Sequence, residues 1–204
     1  QEERTDEFDA GTLDLRWNFR RVPLPGSWSL SERPGFLRLQ ARPEVIRERG
    51  RASLVGFRQT ETAFLYEASM QFDPKNENSE AGIALFQKDD QFVTLTLYVT
   101  DAGTHLKLTQ ASPGKPPGVV MKTPIQGYDG EVRLHASWRE GEYLFEYTLP
   151  GGKTREVARL PGDALLSGGY TGAYLGLYAT GNGTRGRDFA DFDRVEYDAE
   201  PVKR

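Results

Sequence analysis

The segment SGGYTGAYLGLYA, residues 167–179, sets Tyr170, Tyr174 and Tyr178 four residues apart, with Gly172 and Gly176 between them. A spacing of four fits one face of a helix, but each glycine in a helix interior costs about 1 kcal/mol relative to alanine. Four glycines in so short a stretch rule that geometry out. An extended strand removes the conflict, because successive side chains then point to opposite faces. One face reads Tyr170, Gly172, Tyr174, Gly176, Tyr178, and the other Thr171, Ala173, Leu175, Leu177, Ala179. The second set is an aliphatic core face, and the first is a row of rings with gaps.

The same alternation recurs along the chain. In TAFLYEASMQF, Phe64, Tyr66, Ala68, Met70 and Phe72 share one face, while Leu65, Glu67, Ser69 and Gln71 share the other. EVRLHASWRE and FVTLTLYVT repeat the pattern. Between these segments lie DPKNENSEAG, TDAGT, SPGKPPG, REGE and LPGGK, rich in residues that supply positive φ, fixed φ or local side-chain hydrogen bonds. Roughly a dozen short strands joined by such turns predict an all-β, two-sheet antiparallel β-sandwich, each sheet with one wet face. LPGDALLSGG has room for one short helical turn. No repeat or interior linker divides the chain, so residues 1–204 read as one domain with a core from about 6 to 198.

Composition narrows the partners. Thirty acidic residues against 26 basic ones give a net charge of −4, and no basic block alternates with aromatics, so nucleic acid is not an expected partner. The chain has no cysteine, which removes disulfides, thiolate metal sites and cysteine nucleophiles and is compatible with a secreted or periplasmic bacterial setting. No apolar run approaches the ~18 residues of a membrane-spanning helix. The polar start QEERTDEFDA lacks the pattern of a signal peptide; it fits a mature terminus as well as a cut within a longer polypeptide.

Catalytic signatures are sparse. The two histidines, His105 and His135, sit on strands among outward residues, with no helical HExxH and no GxSxG elbow, and both read as surface histidines. Carboxylates that cleave sugars need to converge on one glycosidic oxygen, which alternation along a strand (E-x-D-x-x-E) achieves. No strand here carries that motif. FADFDRVEYDA comes nearest, with Asp191 and Asp193 on one face, but the change of phase toward Val195 and Tyr197 predicts a bulged terminal strand with a structural role. The NGT at 182–184 matches a glycosylation acceptor inside the turn-rich stretch TGNGTRGRD and is read as loop.

Taken in order, DEFD, LRWNFRRVP, WSLSERPGFLRLQA, LVGFRQTETAFLYEASMQFDP, SEAGIALFQ, GGYTGAYLGLYA and ADFDRVEY resemble the C-terminal concanavalin A-like sandwich of glycoside hydrolase family 43, the β-xylosidases and α-arabinofuranosidases. The likeness runs from about Asp6 to Tyr197. It implies a concanavalin A-like jelly roll that follows a five-bladed propeller holding three catalytic acids, so that this chain carries no catalytic residue of its own. The implied role is an accessory module that packs on the propeller and sends a loop aromatic toward a pocket for xylose- or arabinose-containing saccharides. By position that ring is Tyr170, with Tyr174 the second choice. A free-standing carbohydrate-binding module of the same fold, and a small hydrolase in its own right, are the alternatives. No cofactor is required.

The acidic, aromatic ends DEFD and ADFDRVEY carry one further expectation. First and last strands of such sandwiches commonly lie side by side, which would bring Asp9 and Asp193 together. Two close carboxylates require a cation, a proton or arginines such as Arg194 between them. Calcium, which takes carboxylate, carbonyl and water oxygens in a flexible shell, suits that place.

Overall fold

The computed structural model describes residues 2–14, 17–19, 26–46, 53–58, 63–88, 90–165 and 174–200. These residues form fifteen strands and no helix. In chain order they are β1 (Glu2–Asp6), β2 (Asn18–Phe19), β3 (Trp28–Ser29), β4 (Leu37–Gln40), β5 (Ser53–Arg58), β6 (Ala63–Phe72), β7 (Glu80–Lys88), β8 (Gln91–Thr100), β9 (Gly103–Ala111), β10 (Gly118–Pro124), β11 (Glu131–Arg139), β12 (Glu142–Thr148), β13 (Arg155–Pro161), β14 (Tyr174–Thr180) and β15 (Phe189–Glu200). One sheet runs β13-β12-β11-β6-β15-β4-β3, with β1 also paired to β15; the other runs β10-β9-β8-β7-β14-β5-β2. Every pairing is antiparallel. This is the expected two-sheet sandwich with a concanavalin A-like arrangement. At LPGDAL the chain makes a turn closed by Ala164 N–H on Pro161 O at 3.0 Å rather than a helix; from Leu166 on, that phrase lies outside the described residues.

Alternation decides which side chains meet between the sheets. Phe64, Tyr66, Met70 and Phe72 of β6, Tyr143 and Phe145 of β12, and Leu175 and Leu177 of β14 all join one core. Each large apolar side chain so buried contributes about 1.5–3 kcal/mol. Phe57 sits at its aromatic centre, with Trp17 at 5.3 Å and 86°, Tyr197 at 5.3 Å and 78°, and Tyr66 at 5.9 Å and 83°. These edge-to-face contacts suit the ring quadrupoles. The fully buried Tyr66 hydroxyl donates to Gly176 O at 2.8 Å, which ties the two sheets together and spares a buried polar group its desolvation penalty.

The expectation of one wet face per sheet holds for only one of them. The outer face of the β6-containing sheet is polar. The outer face of the β14-containing sheet carries a second apolar cluster of Ile46, Leu54, Ala84, Phe86, Phe92, Ala111, Tyr174 and Tyr178. All seven residues of β14 are therefore buried, and β7 is buried along most of its length. The physical reason is in the sequence: GIALF and YLGLYA are apolar at both parities, the signature of strands covered on both sides.

Candidate functional site

Of the ring row that suggested a sugar contact, Tyr170 lies outside the described residues. Tyr174 is not a free-standing ring. It is 8% exposed, edge-on to Phe86 at 6.5 Å and 83°, within the second cluster. Tyr178 is buried beside it, and its hydroxyl accepts the Ile46 N–H at 3.2 Å. Gly176, between Tyr174 and Tyr178, sits at a close approach of β14 and β5. A Cβ on Gly56, which pairs with Gly176, would lie 2.1 Å from Leu175 O, and one on Gly176 would lie 2.8 Å from Leu54 Cδ1. The strands that carry the tyrosines thus pack as a tight apolar plate, and Tyr174 leads into the segment 166–173 that contains Tyr170.

The opposite, polar face is organised by arginines. Asp191 of β15 is 2% exposed and takes a bidentate clamp from Arg38 of β4, Nε to Oδ1 at 2.8 Å and Nη2 to Oδ2 at 3.0 Å. The register explains it, since Asp191 pairs directly with Arg38. Arg33 reaches the same carboxylate at 3.2 Å and donates to Gln71 Oε1 at 2.8 Å. Arg38 lies over the Phe189 ring and Arg33 over the Phe36 ring, each at 3.7 Å. A carboxylate held by two guanidiniums is a poor proton donor or nucleophile. Both oxygens of Asp191 are thus engaged by arginines.

Asp193 sits at the predicted bulge, where the pairing of β15 with β6 slips between Phe192 and Arg194. Burial pushes its carboxyl above the ordinary value of 3.8, while Arg133, Arg33 and Arg194 pull the other way. Its Oδ1 is buried with no hydrogen-bond partner among the described residues. The chain ends do lie side by side: β1 pairs with β15, Asp6 opposite Val195. Asp9 and Asp193 therefore lie toward the same end of that pair. The carboxylate engaged in holding the end is Asp6, which accepts from Phe8 N–H at 2.8 Å and Trp17 Nε1 at 2.7 Å. No group of three or more His, Cys, Asp or Glu suited to a metal occurs among the described residues, and the charges that act on Asp193 come from arginines.

The histidines differ from their expected exposure. His135 does lie on the outward face, but only 6% exposed, between Glu67 Oε1 at 2.8 Å and Thr148 Oγ1 at 2.9 Å. Hydrogen bonds to both ring nitrogens from neighbouring strands bury a residue that sequence alone marks as wet. His105 is half-buried, 3.0 Å from Thr100 Oγ1 and stacked near Tyr98 at 5.2 Å. Inspection of the sequence missed the cleft at the end of the polar face, where Phe189, Gln71, Arg33 and Asp191 meet. The readable signal was the outward parity of Gln71 on β6, but Arg33 comes from the turn before β4, which alternation does not position.

Residues 5–198 match the family described as Beta xylosidase C-terminal Concanavalin A-like domain. The non-reducing end alpha-L-arabinofuranosidase BoGH43B of Bacteroides ovatus is 31% identical over 201 residues, which cover 94% of this chain and 36% of that protein. A xylosidase/arabinosidase of Butyrivibrio fibrisolvens is 30% identical over 187 residues, covering 91% of this chain and 36% of its own length. A solved Bacteroides ovatus structure, titled Xyloglucan PUL GH43B, superposes with a TM-score of 0.86 at 29% identity, over 96% of this chain and 39% of that one. The chain thus spans little more than a third of the relatives it matches.

Proposed function

Because the chain belongs to the family of β-xylosidase C-terminal concanavalin A-like domains, we propose that it is the non-catalytic accessory sandwich of a family 43 glycoside hydrolase acting on xylan- or arabinan-type hemicellulose. In this reading a propeller upstream in the same polypeptide supplies the acids, and the sandwich packs on it and helps shape its sugar pocket. The observation that carries the reading is the state of Asp191, the nearest approach to a catalytic carboxylate, which is committed to Arg38 and Arg33. Glycoside hydrolysis needs two carboxyl groups free to face one sugar oxygen and its attacking group.

The apolar plate at Tyr174 and Tyr178 supports the side on which the partner is engaged. It is closely packed, and in sequence it directly follows the segment that contains Tyr170. The xylosidase and arabinofuranosidase names of the relatives supply the substrate class.

Separate production of the propeller and the sandwich tests this proposal. The two should co-elute on mixing, and turnover of aryl xylosides or arabinofuranosides by the propeller should rise on adding the sandwich. The gain should shrink with Tyr170→Ala, while the melting temperature of the sandwich stays within a degree or two. A sandwich that neither associates with the propeller nor alters its turnover would overturn the reading.

A further inference from the structure

The polar face carries a second feature, away from the apolar plate. At one end of the β6-containing sheet, a cleft of about 1120 Å³ opens between the β6–β7 loop, the approach to β15 and the start of β11. Phe189 stands in it 38% exposed, one of four large apolar residues so exposed among the described ones; the other three, Val119, Val120 and Met121, lie together on the edge strand β10. The Arg38 guanidinium covers one face of the Phe189 ring. Beside it, Gln71 gives its oxygen to Arg33 and has no other hydrogen bond among the described residues, so its amide N–H groups remain for a ligand. Asp191, almost wholly buried, fixes both arginines from below.

We propose that this cleft binds a neutral oligosaccharide, at a site separate from the apolar plate and from any propeller pocket. Three features select that ligand class. Six carboxylate side chains against three cationic ones line the cleft, which repels phosphates and polyanions. The acids best placed to hold a cation are already engaged: Asp191 by arginines, and Asp188 by Lys75 N–H at 3.0 Å, Asn76 N–H at 2.9 Å and the Ser79 hydroxyl at 2.7 Å. What remains is an apolar ring beside planar amide and guanidinium groups, which match the C–H face and the hydroxyl edge of a pyranose or furanose.

The site also extends across strands. A separate, shallower depression that shares Glu131 with the cleft lies over Ser69, Arg133 and Thr148. From β15 to β12 the two together cross three inter-strand spacings, or about 14 Å. A surface of that length favours a chain of sugars over a single one.

Calorimetric titration of the 204-residue chain tests the inference, with xylohexaose and arabinohexaose as probes. One of the two should bind, and Phe189→Ala and Gln71→Ala should each weaken that binding at least tenfold. If Phe189→Ala compromises folding, Gln71→Ala, which trims a half-buried surface amide, carries the test alone. Absence of binding at millimolar concentrations of both probes overturns the proposal, as does binding that Gln71→Ala leaves unchanged. Because no propeller is present in this titration, its failure is distinct from a failure of the accessory role.

Discussion

Individual charged residues on the polar face make opposite contributions to stability. Removing the buried Asp191 carboxylate strands Arg38 and Arg33 on Gln71, Glu32 and solvent. Both arginines keep some exposure, so Asp191→Ala should cost about 2 kcal/mol, below the range for a fully buried pair. Urea unfolding at neutral pH measures it. The Glu67 carboxyl is held below its ordinary value of 4.5, chiefly by the hydrogen bond from His135 and against the opposing effect of burial. A depressed carboxyl stabilises the fold above its unfolded value, and that contribution is lost as pH falls through the lower folded value. Glu67→Gln should therefore lower stability at pH 7, and its difference from wild type should shrink as pH falls below 4.5 and through the lower folded value. Asp193 has the reverse sign. Its carboxyl is raised by burial, so its stabilising contribution exists below 3.8 and is lost as pH rises through the folded value. Asp193→Asn should leave the protein as stable as wild type, or more so, at pH 7; a clear loss in thermal melting would show that the charged form is needed.

At the scale of strands, β14 concentrates the structural demand. Tyr178→Phe removes the acceptor for the buried Ile46 N–H and should cost about 1–3 kcal/mol. Gly56→Ala places a Cβ against the Leu175 carbonyl in the neighbouring strand and should break the β5–β14 pairing outright, read as loss of cooperative unfolding. Alternation told correctly which β14 residues enter the main core, because Leu175 and Leu177 do. Covering of the other parity is signalled not by alternation but by YLGLYA being apolar at both parities. A ring with glycine neighbours looks the same in sequence whether it awaits a ligand or fills a second cluster, and only the positions of Ile46, Leu54 and Phe86 decide that for Tyr174. The bulge at Asp193 was legible because the parity of the apolar residues changes between Phe192 and Val195. The burial of His135 was not, since Glu67 and Thr148 come from strands that flank β11 on either side and are remote in sequence.

For the molecule as a whole, turn chemistry and alternation sufficed for two antiparallel sheets, while the pairing of first and last strands was expected from the habit of such sandwiches and is present. Alternation alone did not separate the two sheets; the sign lay in GIALF and YLGLYA, apolar at both parities, and the β14-containing sheet holds the outer apolar cluster while the β6-containing sheet holds the polar cleft. At the joined ends, the charges of Arg133, Arg33 and Arg194 act on Asp193 and would compete with a cation there. Melting curves in millimolar calcium and in chelator should coincide; a rise in calcium would restore the Asp9 and Asp193 site. The central claim is that this sandwich serves a glycosidase without performing its chemistry. Turnover of aryl β-xylosides and α-arabinofuranosides by the purified 204-residue chain tests it most directly. The account predicts no rate above the uncatalysed background, whereas activity that survives purification and disappears with Asp191→Ala or Asp193→Asn would contradict it.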